Sequence, residues 1–174
     1  MKLFPVILLS LILRNGVKAQ QRIDTSMVAS LRIAKQFMHG KDNAIQLSLE
    51  LQGIYVQQEL FWLCFSIRNR SGLSYPIDLV RLYLHDKIQS ARSSMQELEV
   101  IPVYMDSLTM VKPHATNRFL IAIPKFTIPD SKYFMIEIFE NNGARNLSLN
   151  LTNWQLFKAR PVPTKQNAVS GIVE

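Results

Sequence analysis

The chain has 174 residues, 48% of them hydrophobic, which is enough for one domain with a sizeable core. Its formal charge is +7, but without Lys2, Arg14 and Lys18 of the first segment it falls from +7 to +4. That is an ordinary soluble surface and no argument for nucleic acid. The one cysteine, Cys64, excludes an internal disulfide and leaves stability to core burial.

Met1-Lys2 is a short positive region, Leu3 to Leu13 an apolar one, and Val17-Lys18-Ala19 supplies small or tolerated residues at a cleavage position. This order is that of a secretory signal peptide over residues 1–19, cut after Ala19. The apolar run is too short for a membrane span. No cysteine follows Ala19 directly, so lipid attachment at a mature N-terminal cysteine is not expected.

Residues 20–43 form an N-terminal helical segment. Asp24, Thr25 and Ser26 offer N-caps, Gly40 stands at the far end, and Met27, Leu31, Ala34 and Met38 recur at helical spacing. The expected helix runs from Ile23 to His39 and packs on the domain.

From 44 to 160 the pattern is that of a β-sandwich. Ile45, Leu47, Leu49 and Leu51 alternate with polar residues until Gly53 breaks the period, which predicts a bulge. Gln57-Gln58-Glu59 turns the chain into its densest alternation: Phe61, Leu63, Phe65 and Ile67 on one face, Trp62, Cys64, Ser66 and Arg68 on the other. After the turn residues Asn69 to Gly72, Val80, Leu82 and Leu84 alternate with Arg81, Tyr83 and His85, reading as a second strand antiparallel to the first.

Ile88 to Arg92 is a candidate short strand. Leu98 to Met105 is β-prone, but Pro102 removes a ladder donor and places it at an edge. Asp106 to Thr116 is a loop. Phe119 to Ile123 is apolar on both sides, as a central strand is, and Pro124 to Asp130 is a crossing. Tyr133 to Phe139 and the alternating Leu147, Leu149 and Leu151 flank the turn Asn141-Asn142-Gly143. Trp154, Leu156 and Phe157 are candidates to close the core, and residues 161–174 are expected to be a mobile tail.

About seven antiparallel strands with regular turn signals predict an all-β, immunoglobulin-like β-sandwich with one N-terminal helix, a barrel being the other closure. Pro129 to Tyr133 has the form of the tyrosine corner of such folds.

Little in the chain points to chemistry. His39, His85 and His114 have no ligand-pair spacing, so no metal or other cofactor is expected. There is no Gly-x-Ser-x-Gly elbow and no Gly-rich phosphate loop, and no catalytic residue is assigned. The arginines are scattered. A basic aromatic patch exists only if Arg68 and Arg81 share an outer face with Trp62 and Tyr83, and direct DNA contact is not expected. Those four are the candidate partner-facing residues.

Several motifs occur in a telling order. They are Gly53-Ile54-Tyr55-Val56, Ile67-Arg68-Asn69-Arg70-Ser71, Tyr75-Pro76-Ile77-Asp78 leading into Arg81 to Lys87, Ile123 to Asp130 with Tyr133, Glu140 to Arg145, and Lys158 to Val162. Together, over Asn43 to Val162, they resemble the TraN proteins of Bacteroidetes conjugative transposons. The resemblance implies a non-enzymatic, periplasmic component of a conjugative, type IV-like DNA-transfer apparatus, associated with the outer membrane. Its implied partners are other Tra subunits and an outer-membrane lipoprotein, to which it can lend a sheet edge. Members of that family usually carry a further N-terminal domain, where this sequence has only Gln20 to Asn43. The rival reading is a free-standing periplasmic binding or adhesion module.

Overall fold

The computed structural model describes residues 23–38, 40–87 and 97–163. The Asp24 side chain accepts the Ser26 N–H at 2.8 Å and caps helix α1 (Thr25–Ile33). The helix stops well short of the expected end; His39 lies outside the described residues. Backbone competition explains the early stop. Phe37 and Met38 both donate their N–H to the Gln52 carbonyl, at 3.0 and 3.2 Å, and this holds residues 34–38 out of the helix.

Strand β1 (Gly40–Ala44) follows where no strand was expected, and β2 (Leu47–Gln57) pairs with it antiparallel. Ala44 faces Leu47, so Ile45 and Gln46 are the loop, with Gln46 at φ 60°. Ile45 is therefore exposed and does not begin the inward row. The predicted bulge is present: the register of β2 shifts between Leu51 and Gly53. It leaves Gln52 out of the ladder and its carbonyl available to residues 37 and 38.

Strand β3 (Leu60–Asn69) returns beside β2 through Gln58-Glu59. Strand β4 (Tyr75–Asp86) does not pair with β3, contrary to the expected pair, but lies in the opposite sheet. The buried Asn69 side chain makes the crossing. Its amide donates to the carbonyls of Leu73 (2.7 Å) and Lys112 (3.2 Å), and its oxygen accepts from the backbone and hydroxyl of Ser71.

The expected strand from Leu98 to Met105 is split at Pro102. Its first part, β5 (Leu98–Glu99), pairs with β4; its second, β6 (Tyr104–Met105), pairs with β8 (Thr116–Pro124) of the other sheet. The candidate strand at Ile88 to Arg92 lies outside the described residues. Within the expected loop after Asp106, β7 (Met110–Val111) adds to β4. The chain then crosses at 125–131 to β9 (Lys132–Glu140), which pairs with both β4 and β10 (Leu147–Leu151). Helix α2 (Asn153–Phe157) and β11 (Arg160–Pro161), parallel to β2, complete the described chain.

One sheet has the order β1-β2-β3-β8-β6 and the other β10-β9-β4-β5. In chain order this is the Greek key of immunoglobulin-like sandwiches, with β2-β3-β8-β6 in the place of strands A-B-E-D and β10-β9-β4-β5 in that of G-F-C-C′. Leu63, Phe65 and Ile67 of one inner face meet Leu82, Leu84, Phe134, Ile136 and Ile138 of the other. The opposite face of β3 is covered as expected: Trp62 and Cys64, with Leu120 and Ala122, pack against Met27, Val28 and Leu31 of α1. Of the C-terminal trio only Leu156 enters the core; Trp154 and Phe157 are exposed. Tyr133 stands near the start of β9, its ring 5.2 Å from that of His85.

Candidate functional site

The two sides of the sandwich are closed differently. On one side Asp42 of β1 accepts the Ser148 N–H of β10 at 2.8 Å, and Leu149 lies against Gly40. On the other side β5 and β6 are, among the described residues, the outer strands of their sheets, and the segment between them passes from one sheet to the other.

Residues 98–105 follow an extended path set by a few bonds. Val100 donates to Leu82 and Val103 to Ala122, both at 2.8 Å. Pro102, with no N–H, stands where the chain changes sheets. Tyr104 turns inward, its ring 5.6 Å from the Trp62 ring. The residues between turn outward: Leu98, Ile101, Val103 and Met105 are 61%, 66%, 48% and 43% exposed. The run Val100 to Met105 carries no charge. Met105 sits opposite Ile121 while the next N–H, of Asp106, bonds the Leu120 carbonyl. In an antiparallel ladder that register aims the Met105 N–H and C=O away from the sheet. An uncharged, apolar strand edge with outward backbone groups is the kind of surface that accepts another chain's strand.

Asp106 holds the end of this segment. It is buried, and one carboxylate oxygen accepts from Arg32 (2.6 Å) and the Tyr104 hydroxyl (2.5 Å); the other accepts the Leu120 N–H at 2.9 Å. Arg118 in turn donates to the Arg32 carbonyl, so the same group fastens the end of α1 over the sheet. Beneath α1 the gap between Leu31, Tyr55, Cys64 and Leu120 amounts to about 10 Å³, room for one water molecule.

The four candidate partner-facing residues do not form one patch. Trp62 and Arg68 belong to β3 and point from one sheet, Arg81 and Tyr83 to β4 and point from the other. Trp62 is 1% exposed, under α1 and Tyr104. Arg68 is exposed at the far end of its strand. Arg81 donates to Glu97 at 2.8 Å and lies over the Tyr83 ring at 4.8 Å. Tyr83 is buried despite facing outward; burial first, and then its hydrogen bond to Glu137, push its hydroxyl above the usual tyrosine range.

Burial pushes the Cys64 thiol up to about 12, so it stays protonated and unreactive at neutral pH. His85 and His114 lie far apart in the fold, one on β4 beside Glu97 and the other on a turn at φ 53°. Among the described residues no group of three or more His, Cys, Asp and Glu is placed to hold a metal ion. Sequence reasoning missed the outward row Ile101, Val103 and Met105, although its period of two is visible.

Fold and site together define an immunoglobulin-like β-sandwich with one side stitched shut and the other, among the described residues, an open apolar edge. The chain belongs to the family described as a domain of unknown function, DUF4138, whose model matches residues 21–161. No curated protein and no solved structure matches the chain.

Proposed function

We propose that the protein is an exported, non-enzymatic structural component of a conjugative DNA-transfer apparatus, working in the periplasm through protein–protein contacts. The observation that carries the contact role is the open seam at residues 98–105, whose outward apolar side chains and strand edge have no cover among the described residues. The choice of apparatus rests on the ordered motifs that resemble the TraN proteins. Export rests on the charged-apolar-small order of residues 1–19.

The seam is suited to strand addition. A partner strand laid along Val100 to Met105 gains backbone hydrogen bonds at Met105 and buries Ile101, Val103 and Met105. Full burial of such side chains is worth about 1.5–3 kcal/mol each before the cost of ordering the partner.

The test is affinity purification of the tagged chain from cells that carry the transfer apparatus and from cells that lack it. The expected result is recovery of transfer subunits with the parent chain and their loss with Ile101→Glu plus Val103→Glu. Both positions are exposed, so the variant keeps its fold. A monomer that recovers no transfer subunit overturns the reading and leaves the free-standing binding module in its place.

A further inference from the structure

We propose that the α2 tip of the sandwich docks peripherally on an anionic lipid bilayer. It lies at a different place from the open seam and does not depend on it. Trp154 and Phe157 are 61% and 73% exposed, and their i, i+3 spacing puts them on one face of α2. Their exposure is built in. Leu156 anchors the opposite face in the core. Asn153 exchanges two hydrogen bonds with Ile128, at 2.8 and 2.6 Å, and the Gln155 side-chain oxygen accepts from the Thr152 N–H at 2.9 Å and from its hydroxyl at 2.5 Å. The two rings are thus held outward on a supported turn.

Positive charge is in excess at this end. The Lys158 ammonium sits 3.4 Å from the Trp154 ring centroid, and the Arg160 guanidinium follows over Phe37 at 4.0 Å. No Asp or Glu occurs between Glu140 and Glu174. The acids that other segments bring to this end are Asp24, which caps α1 beside Gln57 and Gln58, Glu59, paired with Lys125 at 3.1 Å, Asp86, paired with Lys132 at 2.6 Å, and the exposed Asp130. Lys87, Lys158 and Arg160 therefore outnumber Asp24 and Asp130.

Two protruding aromatic rings, one with Lys158 against it, at an end with an excess of cations suit an interface where rings enter the headgroup boundary and cations meet lipid phosphates. No helix among the described residues is long and apolar enough to cross a membrane, so the attachment proposed is peripheral.

The chain has two tryptophans, and Trp62 is 1% exposed, so a change in emission on binding reports Trp154. The experiment uses the chain from Gln20 to Glu174, which contains every described element, with vesicles of phosphatidylglycerol and phosphatidylcholine or of phosphatidylcholine alone. The expected result is a blue shift and co-flotation with the anionic vesicles only, weakened by salt. Trp154→Ala plus Phe157→Ala should lower partitioning at least tenfold, and Lys158→Glu plus Arg160→Glu should abolish it. Cooperative urea unfolding and an unchanged far-ultraviolet circular dichroism spectrum verify that each variant is folded. Absence of flotation, or flotation that survives the aromatic substitutions, overturns the proposal. So does a blue shift that grows with protein concentration in the absence of vesicles, which makes a second copy the occupant.

Discussion

Replacing Asp106 with Ala tests the polar centre that joins α1, β6 and β8. The substitution removes the acceptor of the Leu120 N–H, which the carboxylate holds at 2.9 Å just beyond the end of β6. A buried N–H left without an acceptor costs about 1–3 kcal/mol. The Arg32 bridge adds less than about 1 kcal/mol, because Arg32 is 45% exposed and water replaces part of what is lost. Asp106→Ala is therefore expected to destabilise by about 2–3 kcal/mol. Asp106→Asn keeps an oxygen for Leu120 and should cost about 1 kcal/mol by the same count. Urea unfolding measures both as shifts of midpoint at constant slope. Hydrogen exchange at the Leu120 amide should quicken in the alanine variant before that of neighbouring strand amides. An alanine variant within about 0.5 kcal/mol of the parent would refute the account of Asp106 as the clamp.

Three further side chains have testable consequences in the same structure. Asn69→Ala removes the side chain that braces the crossing between β3 and β4 and leaves the carbonyls of Leu73 and Lys112 without their donor, so a loss of about 2–4 kcal/mol in urea unfolding is expected. Native Cys64 should label slowly with a thiol reagent at pH 8 and fully in urea. Because its pKa is higher folded than unfolded, stability should fall as pH rises past about 9, where only the unfolded thiol ionises. Glu140 is held below the usual carboxylate range, first by its hydrogen bond from Arg145. Its contribution is present above the unfolded pKa of about 4.3 and is lost as pH falls through the lower folded value. Glu140→Gln should flatten that acid limb, as read by thermal melts from pH 7 downward.

The strands that were legible in the sequence are those whose side chains face two different environments. Leu147, Leu149 and Leu151 alternate with exposed polar residues, and the bulge at Gly53 interrupts a clear period. Partnership was less legible than existence. Phe61 to Ile67 and Val80 to Leu84 look like a hairpin because only a short turn separates them. What sends them to opposite sheets is the buried Asn69 side chain, bonded to a loop 43 positions away. Helix length failed for a similar reason: Phe37 and Met38 keep helical spacing, but the Gln52 carbonyl captures their N–H groups. Trp154 and Phe157 read as core because they are large and apolar, yet only Leu156 points inward.

The motifs that resemble the TraN proteins lie mostly where the chain turns or changes sheets. Asn69 makes the first crossing, Ile123 to Asp130 the last, and Glu140 to Arg145 the turn braced by the Arg145–Glu140 pair. They therefore mark the fold more than a contact surface. The outward row of the seam lies outside all of them, so the partner-binding residues proposed here come from the structure and the choice of apparatus from the motifs.

The most direct test of the central proposal is site-specific photo-crosslinking in cells that carry the transfer apparatus, with the probe at Val103 on the open seam or at Lys41 on the closed side. The account predicts adducts with transfer subunits from position 103 and none from position 41. No adduct from position 103, or the same adducts from both positions, would contradict it.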